Sequence, residues 1–340
     1  MRTVDVHTHF LPPQLVAEAR AGNGVDGMRT EQQGGQEWIV HRQGFRYPLQ
    51  RAFYDVPARL DAMTASGIGT GILSLAPTLF MYWLEPREAL ALCRRANDEL
   101  TAAGLSSGGR LRPVAALPMQ DPDAAVTELR RAVGELGMSG AEIGPSVEGQ
   151  PLYHPELRPV LTAASDLGVP LLIHPYSVAP RPGLADFYLS NLVGNPLETT
   201  ACAARLILSG ALDDLPELRL VLMHGGGYLP YQIGRLDHGY RVRPEAGGCR
   251  HSPSSYLGRF YYDTLTHASR PLAFLISLVG AGRVVYGTDF PFDMGGGPCQ
   301  DQLAGIELTS ADRDAIAGGN AASLFALPGA GARATGGRQH

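Results

Sequence analysis

The sequence reads as one α/β domain, a (β/α)8 barrel of the TIM type. Two observations carry that reading. Short apolar runs alternate with helix-like segments from end to end, roughly eight strand–helix units in about 300 residues, which suits a closed barrel better than an open sheet. The runs are also continuously apolar over about four to six residues, as in a parallel sheet buried on both faces. An open dinucleotide-binding sheet would carry G-x-G-x-x-G after its first strand, and "VDVHTHFLPP" has none.

The elements follow in order. "VDVHTHF" is the first strand, and "VPARLDAMTASGI" is an amphipathic stretch before the buried run "GTGILSLA". "EPREALALCRRANDELTAAG" has a long helical period with Glu85 and Pro86 near its start. After "LRPVAALPM", Asp121 is placed to cap a helix with Pro122 at its first position. Further strands are read in "SGAEIGP", "PLLIHPYS", "LRLVLMHGGG", "RFYYDTL" and "RVVYGTDFPF". Residues 16–49, rich in Gly and Gln with β-like pieces at "EWIVHR" and "FRYPL", break the rhythm. They read as a small β insertion after the first strand, a hairpin or three-stranded flap; loops this long in a compact domain are usually functional or disordered. The catalytic domain then spans 1–328, and the Gly-rich 329–340 reads as a flexible tail.

Composition narrows the function. The 340 residues are 44% hydrophobic and 18% charged, with net charge −5, so no basic block is available for nucleic acid. All 28 cationic side chains are Arg. Without Lys there is no Schiff base, PLP anchor, P-loop or carboxylated-lysine metal bridge. Cys93, Cys202, Cys249 and Cys299 are widely spaced and fit reduced thiols. No signal-type start or membrane-length apolar run is present, so a cytoplasmic protein is expected.

The chemistry lies where the apolar runs end. His7 and His9 share one strand face, because residues i and i+2 point the same way. His174, His224 and Asp289 follow three further runs. A lone histidine after a strand is usually structural, but all strand ends of a parallel barrel open on one face, where active sites sit. Three nitrogens and a carboxylate suit a divalent ion, zinc first. His7, His9, His174 and Asp289 are the expected ligands, leaving His224 as general acid/base, with its glycines letting backbone approach the substrate.

The H-x-H of the first strand with the later "HP", "HGGG" and "GTDFPF" resembles the amidohydrolase superfamily. The segments "FMYWLEP", "ALPMQDP", "NPLETT", "HGGGYLPYQIGRLDHG", "YLGRFYYDTL" and "GNAASLF" narrow the likeness to the branch of aminocarboxymuconate-semialdehyde decarboxylase and the aromatic-acid decarboxylases, over Val4 to Leu327. The resemblance implies a metal-dependent barrel enzyme, usually a zinc-containing homodimer, with the ligands named above and His224 as acid/base. It also implies Arg235 near the substrate carboxylate, reaching in from the neighbouring subunit, where guanidinium matches carboxylate bidentately; the plain alternative is a surface ion-pair residue.

Two departures bear on the substrate. Aligning on Tyr54-Asp55 puts Gln50 where the semialdehyde decarboxylase has arginine, with Arg51 one residue later. Tyr176 stands directly after the "HP", where that enzyme has Trp. A different carboxylated aromatic or ring-opened acid therefore fits better. Phe80, Tyr82, Trp83 and Phe292 either line the pocket or pack the barrel top. The expected reaction is nonoxidative loss of CO2 from a small conjugated or aromatic acid, with Arg235 and Arg51 holding the carboxylate end. The alternatives are hydrolysis or hydration at the same site, and a barrel that binds without catalysis, disfavoured because all five strand-end residues are present.

Overall fold

The computed structural model describes residues 2–176 and 181–328, so the expected tail at 329–340 lies outside the described residues. Eight strand positions are found: β1 (Val4–Phe10), β2 (Thr70–Leu75), β3 in two pieces (Leu111–Pro113 and Ala115–Ala116), β4 (Ala141–Ile143), β5 (Leu171–Ile173), β6 (Leu220–Leu222), β7 (Phe260–Asp263) and β8 (Val284–Val285). Neighbours pair in parallel in sequence order, with β3 joining the two runs: its first piece pairs with β2, its second with β4. The ring closes between β8 and β1, where Val6 N–H donates to Tyr286 O at 2.9 Å and Asp289 N–H to His7 O at 2.7 Å. This is the TIM-type barrel that the alternation of runs predicts.

The strands are short because each needs only to cross the barrel. All seven residues of β1 are buried. Inside the lower half, Val4, Val6, Ile72, Val114, Leu172, Val221 and Val285 form one apolar cluster. Leu324, Phe325 and Leu327, at and beyond the end of the last helix (Asn320–Leu324), pack into the same cluster.

Helices follow the expected signals. Ala89, Leu92, Cys93, Ala96, Leu100 and Ala103 are the buried stripe of helix Pro86–Ser106, at the three- and four-residue spacing of one helical face. Asp121 caps helix Pro122–Gly134 by accepting from Ala124 N–H at 3.1 Å. Among the described residues no helix is long and apolar enough to cross a membrane.

Between β1 and β2 the chain forms helix Pro13–Arg20 and then a three-stranded antiparallel sheet, Arg29–Gln33, Gln36–Val40 and Arg46–Pro48. Helix and sheet are clamped by Arg20 and Glu37 at 2.7 Å. The flap is fixed to the barrel top through Asp26, which accepts from Trp83 Nε1–H and Gln43 Nε2–H, both at 2.8 Å.

Candidate metal centre

Five of the eight strands deliver side chains to one point at the upper end of the barrel. His7 and His9 come from β1, His174 directly follows β5, His224 stands two residues past β6, and Asp289 four past β8. β7 contributes Asp263, its last residue. The β1–β2 register slips between Asp5 and Thr8, an irregularity of the kind that re-aims side chains beside active sites. Below the slip, Asp5 accepts from His7 N–H, Thr288 N–H and the Thr288 hydroxyl at 3.1, 3.1 and 2.6 Å, stapling β1 to the chain after β8.

His7, His9, His174 and Asp289 each offer a ligand atom within 4.8 Å of the others, and all four residues are buried. Nε2 of each of the three histidines and Oδ1 of Asp289 are buried without a hydrogen-bond partner. Four orphaned polar atoms facing one another would be costly unless a cation satisfies them.

The far side of each ring decides which nitrogen is free. His7 Nδ1 lies 2.6 Å from Asp263 Oδ2. A carboxylate only accepts, so Nδ1 carries the hydrogen and Nε2 the lone pair. His174 Nδ1 lies 2.6 Å from the Pro175 carbonyl, with the same consequence. His9 Nδ1 meets Ser74 Oγ at 3.0 Å, and the single Ser74 hydroxyl hydrogen goes to Thr8 O, also at 3.0 Å, so Ser74 can only accept from His9. All three Nε2 atoms are thereby set as donors to a cation. Three imidazole nitrogens and one carboxylate oxygen fit a divalent transition-type ion well.

Electrostatics agree for two of the three rings. Burial pushes His9 down to about 4 and His174 well below the usual histidine value, so both keep their lone pairs at neutral pH. Burial also acts against charge on His7, but the Asp289 and Asp263 carboxylates outweigh it and lift His7 to about 9, so at neutral pH its Nε2 also holds a proton that a bound cation would have to displace. Asp289, despite burial, is held well below the usual carboxylate range by His7, His224 and His9.

His224 and Asp289 both adopt left-handed backbone, φ 58° and 61°, a sparsely populated region for residues with a Cβ. The conformation brings His224 Nε2 to 3.9 Å from Asp289 Oδ2. The glycines after His224 also have a reason within the protein, while Gly227 lines the cleft beside His224. Gly225, Gly226 and Gly227 all have positive φ, and a Cβ on Gly226 would lie 2.6 Å from the Tyr262 ring, one on Gly227 2.1 Å from Pro196 O. They are needed by the turn that presents His224 and by its packing on protein neighbours.

Two clefts meet at Asp289. One, of about 270 Å³, is lined by His224, Tyr228, Asn195 and Met294; the other, of about 50 Å³, by His174, Tyr176, Phe45 and Phe292. Phe292 stands edge-on to His9 at 5.4 Å and to Tyr47 of the flap at 5.0 Å, so the flap supplies part of the aromatic wall. Tyr176 is buttressed by Tyr82 at 4.8 Å, and its hydroxyl accepts from Glu148 N–H at 3.1 Å.

Three expected substrate contacts are not brought to the clefts within this chain. Arg51 is exposed and paired with Asp55 at 2.7 Å, one helical turn away. Trp83 is turned to Asp26 at the flap's base, where its indole N–H is satisfied. Arg235 is exposed on helix Leu229–Val242. Conversely, sequence reasoning passed over Asp263, Ser74 and Glu142, all buried beside the cluster. The available signal was a polar residue inside an otherwise apolar run, in "YYDTL", "GILSLA" and "GAEIG".

A parallel barrel whose strand ends gather three histidines and an aspartate, with a fourth histidine alongside, defines a metal-dependent barrel enzyme. The family model described as Amidohydrolase matches residues 4–327. The chain belongs to the amidohydrolase family, in its decarboxylase branch. It is 31% identical over 330 residues to 2-amino-3-carboxymuconate-6-semialdehyde decarboxylase of Dictyostelium discoideum, covering 95% of this chain and 91% of the relative. It is 34% identical over 297 residues to gamma-resorcylate decarboxylase of Rhizobium sp. (strain MTP-10005), covering 83% and 90%. It also matches a crystal structure of dihydroxybenzoic acid decarboxylase from Polaromonas sp. JS666, which holds bound manganese and the inhibitor 2-nitroresorcinol. The TM-score there is 0.74 at 26% identity, covering 96% of this chain and 97% of that one.

Proposed function

We infer that this protein is a metal-dependent, nonoxidative decarboxylase, a carbon–carbon lyase acting on a small conjugated or aromatic carboxylic acid. The observation that carries the reading is the preset donor group of His7, His9, His174 and Asp289, with His224 lining a cleft that meets the aromatic-walled one at Asp289, in a chain whose relatives are decarboxylases. A bound divalent ion, with zinc our assignment because imidazole suits it, supplies a Lewis-acid anchor for substrate oxygen.

The remaining steps belong to side chains. Tyr176 and Phe292 face the ring and exclude water from it. His224 delivers a proton to the carbon bearing the carboxylate. The bond from that carbon to the carboxylate then breaks, its electron pair returns to the conjugated system, and CO2 departs. Asp289 stays ionised beside His224, with its Oδ2 3.9 Å from His224 Nε2.

Neither cleft is lined by an Arg among the described residues, so the substrate carboxylate lacks an in-chain guanidinium partner. Tyr231 (77% exposed) and Phe274 (44%) meet edge-on at 6.0 Å on the surface that also carries Arg235. We assign that surface to a homodimer contact through which Arg235 of the second subunit reaches the carboxylate. Four buried, unpaired cysteines suit a reducing, cytoplasmic setting.

Mass spectrometry of products, after incubating metal-loaded protein with a panel of aromatic acids, muconate-type acids, esters and amides, tests the reaction. A product lighter by CO2 is expected, with His224→Ala slower by about 10²–10⁴-fold and metal content unchanged. Water addition or ester cleavage without CO2 loss would replace decarboxylation with hydrolysis or hydration.

A further inference from the structure

The three metal-facing histidines are not equally supported. His7 leans on a carboxylate and His174 on a carbonyl, both at 2.6 Å, but His9 has only the Ser74 hydroxyl at 3.0 Å. Beyond that hydroxyl lies a group that the decarboxylation scheme leaves unused. Glu142, the middle residue of β4, is 1% exposed, and neither of its carboxylate oxygens has a hydrogen-bond partner. Oε2 lies 3.8 Å from His9 Nδ1. The residues paired with Glu142 on the adjoining strands are Ala116 and Leu172, which offer no side-chain donor.

An interior carboxyl flanked by apolar strand neighbours and unpaired at both oxygens is pushed by burial toward its neutral form, and its ionised form is disfavoured unless a cation compensates it. No Arg pairs with it. The cation within reach is the one that the donor group on the opposite edge of the His9 ring is built to hold. In carboxylate–histidine–metal arrangements the acceptor behind the ring fixes the tautomer and raises the basicity of the metal-facing nitrogen.

We propose that Glu142 is a positioning residue for the metal centre: with Ser74 it backs the Nδ1–H edge of His9, and its negative charge supports the cation at Nε2. Asp263–His7 and Glu142/Ser74–His9 then form two carboxylate-backed ligands, the second indirect. The inference rests on the metal-centre reading and is independent of which reaction the ion serves.

The test is metal binding, read without turnover. Wild type, Glu142→Gln and Glu142→Asp are stripped of metal and titrated with Zn²⁺ and with Mn²⁺ against a chelating indicator, and the Co²⁺-loaded proteins are compared by their ligand-field absorption. Glu142→Gln keeps size and removes charge. It is expected to weaken affinity about 10- to 100-fold and shift the Co²⁺ bands, while the metal-free protein melts no lower than wild type because neither Glu142 oxygen has a hydrogen bond to lose. Glu142→Asp, which keeps the charge but draws it back, is expected to fall between the two. Wild-type affinity and an unchanged Co²⁺ spectrum in Glu142→Gln would overturn the proposal. So would an affinity loss matched by an equal loss of metal-free stability, which marks a packing role. Should Glu142→Gln not fold, wild-type affinity in Glu142→Asp overturns it equally. Failure of wild type to bind any of the three ions removes the metal centre itself; binding without CO2 release removes only the decarboxylase reading.

Discussion

At the lower end of the barrel, Val4 and Val6 of β1 pack with Ile72, Val221 and Phe325 in an apolar cluster. One to three residues further along the same strand, His7 and His9 are as deeply buried, yet each leaves a ring nitrogen unpaired. Both ends exclude water. The lower end gains about 1.5–3 kcal/mol for each large apolar side chain it buries, whereas the upper end concentrates orphaned donors and acceptors, the residues His224 and Asp289 in left-handed backbone, and the unpaired Glu142. The contrast indicates a division of labour: the plug stabilises a frame rigid enough to hold a donor group that is unfavourable until a cation arrives.

The largest expected effect comes from breaking the upper end. Asp289→Ala removes the one carboxylate among the four donors and the partner of His224 at once. Activity should fall by about 10³-fold or more, equivalent to roughly 4 kcal/mol of barrier. Metal analysis should find the site substantially depleted. The melting temperature of the metal-free protein should fall, because the fold loses a carboxylate that His7, His224 and His9 hold ionised, and Ala tolerates the left-handed backbone less well than Asp. A variant that keeps both metal and rate would show that Asp289 is not a ligand.

The mirror experiment breaks the lower end. Phe325, 3% exposed, fills the floor beneath Val4 and Val6. Phe325→Ala should cost about 3–5 kcal/mol of stability, measured by denaturant unfolding. Metal affinity and rate per folded molecule should stay near wild type. If affinity fell in step with stability, the two ends would be one cooperative structure and the proposed division would fail.

This contrast also explains what the sequence made legible. The barrel is readable because strands buried on both faces must be continuously apolar, and a histidine or aspartate ending such a run stands out, as His7, His174 and Asp289 do. Asp263 and Glu142 carry the same signal, a carboxylate within an apolar run, but acidic residues ending strands are common and only the three-dimensional neighbours separate them from solvated ones. Arg51 misled for a related reason. Its side chain is long enough to serve either the cleft or Asp55, and its place beside the helix-capping Asp55 settles it on the surface pair. The glycines after His224 announced a close approach without saying to what; Tyr262 lies 36 positions from Gly226 and Pro196 lies 31 from Gly227 in the chain.

The smallest effect is the sharpest, because it alters one hydrogen rather than one donor. Asp263 Oδ1 accepts from Gly225 N–H at 2.6 Å and Leu265 N–H at 3.2 Å, while Oδ2 faces His7 Nδ1 at 2.6 Å. In Asp263→Asn the amide oxygen is retained by the two backbone donors, which turns the NH2 toward His7. A donor then faces a donor, and the stable answer is for His7 to move its hydrogen to Nε2, the atom that should bind the ion. Packing is unchanged, so unfolding should shift little. Metal affinity should fall by about 10- to 100-fold, and nitrogen-15 NMR of the metal-free protein, at a pH above the His7 value of about 9 where the ring is neutral, should find the His7 hydrogen on Nε2 in the variant and on Nδ1 in wild type. Equal affinity with the tautomer switched would mean that the other donors suffice to hold the ion, and would confine the role of Asp263 to tying β7 to the glycine turn that presents His224.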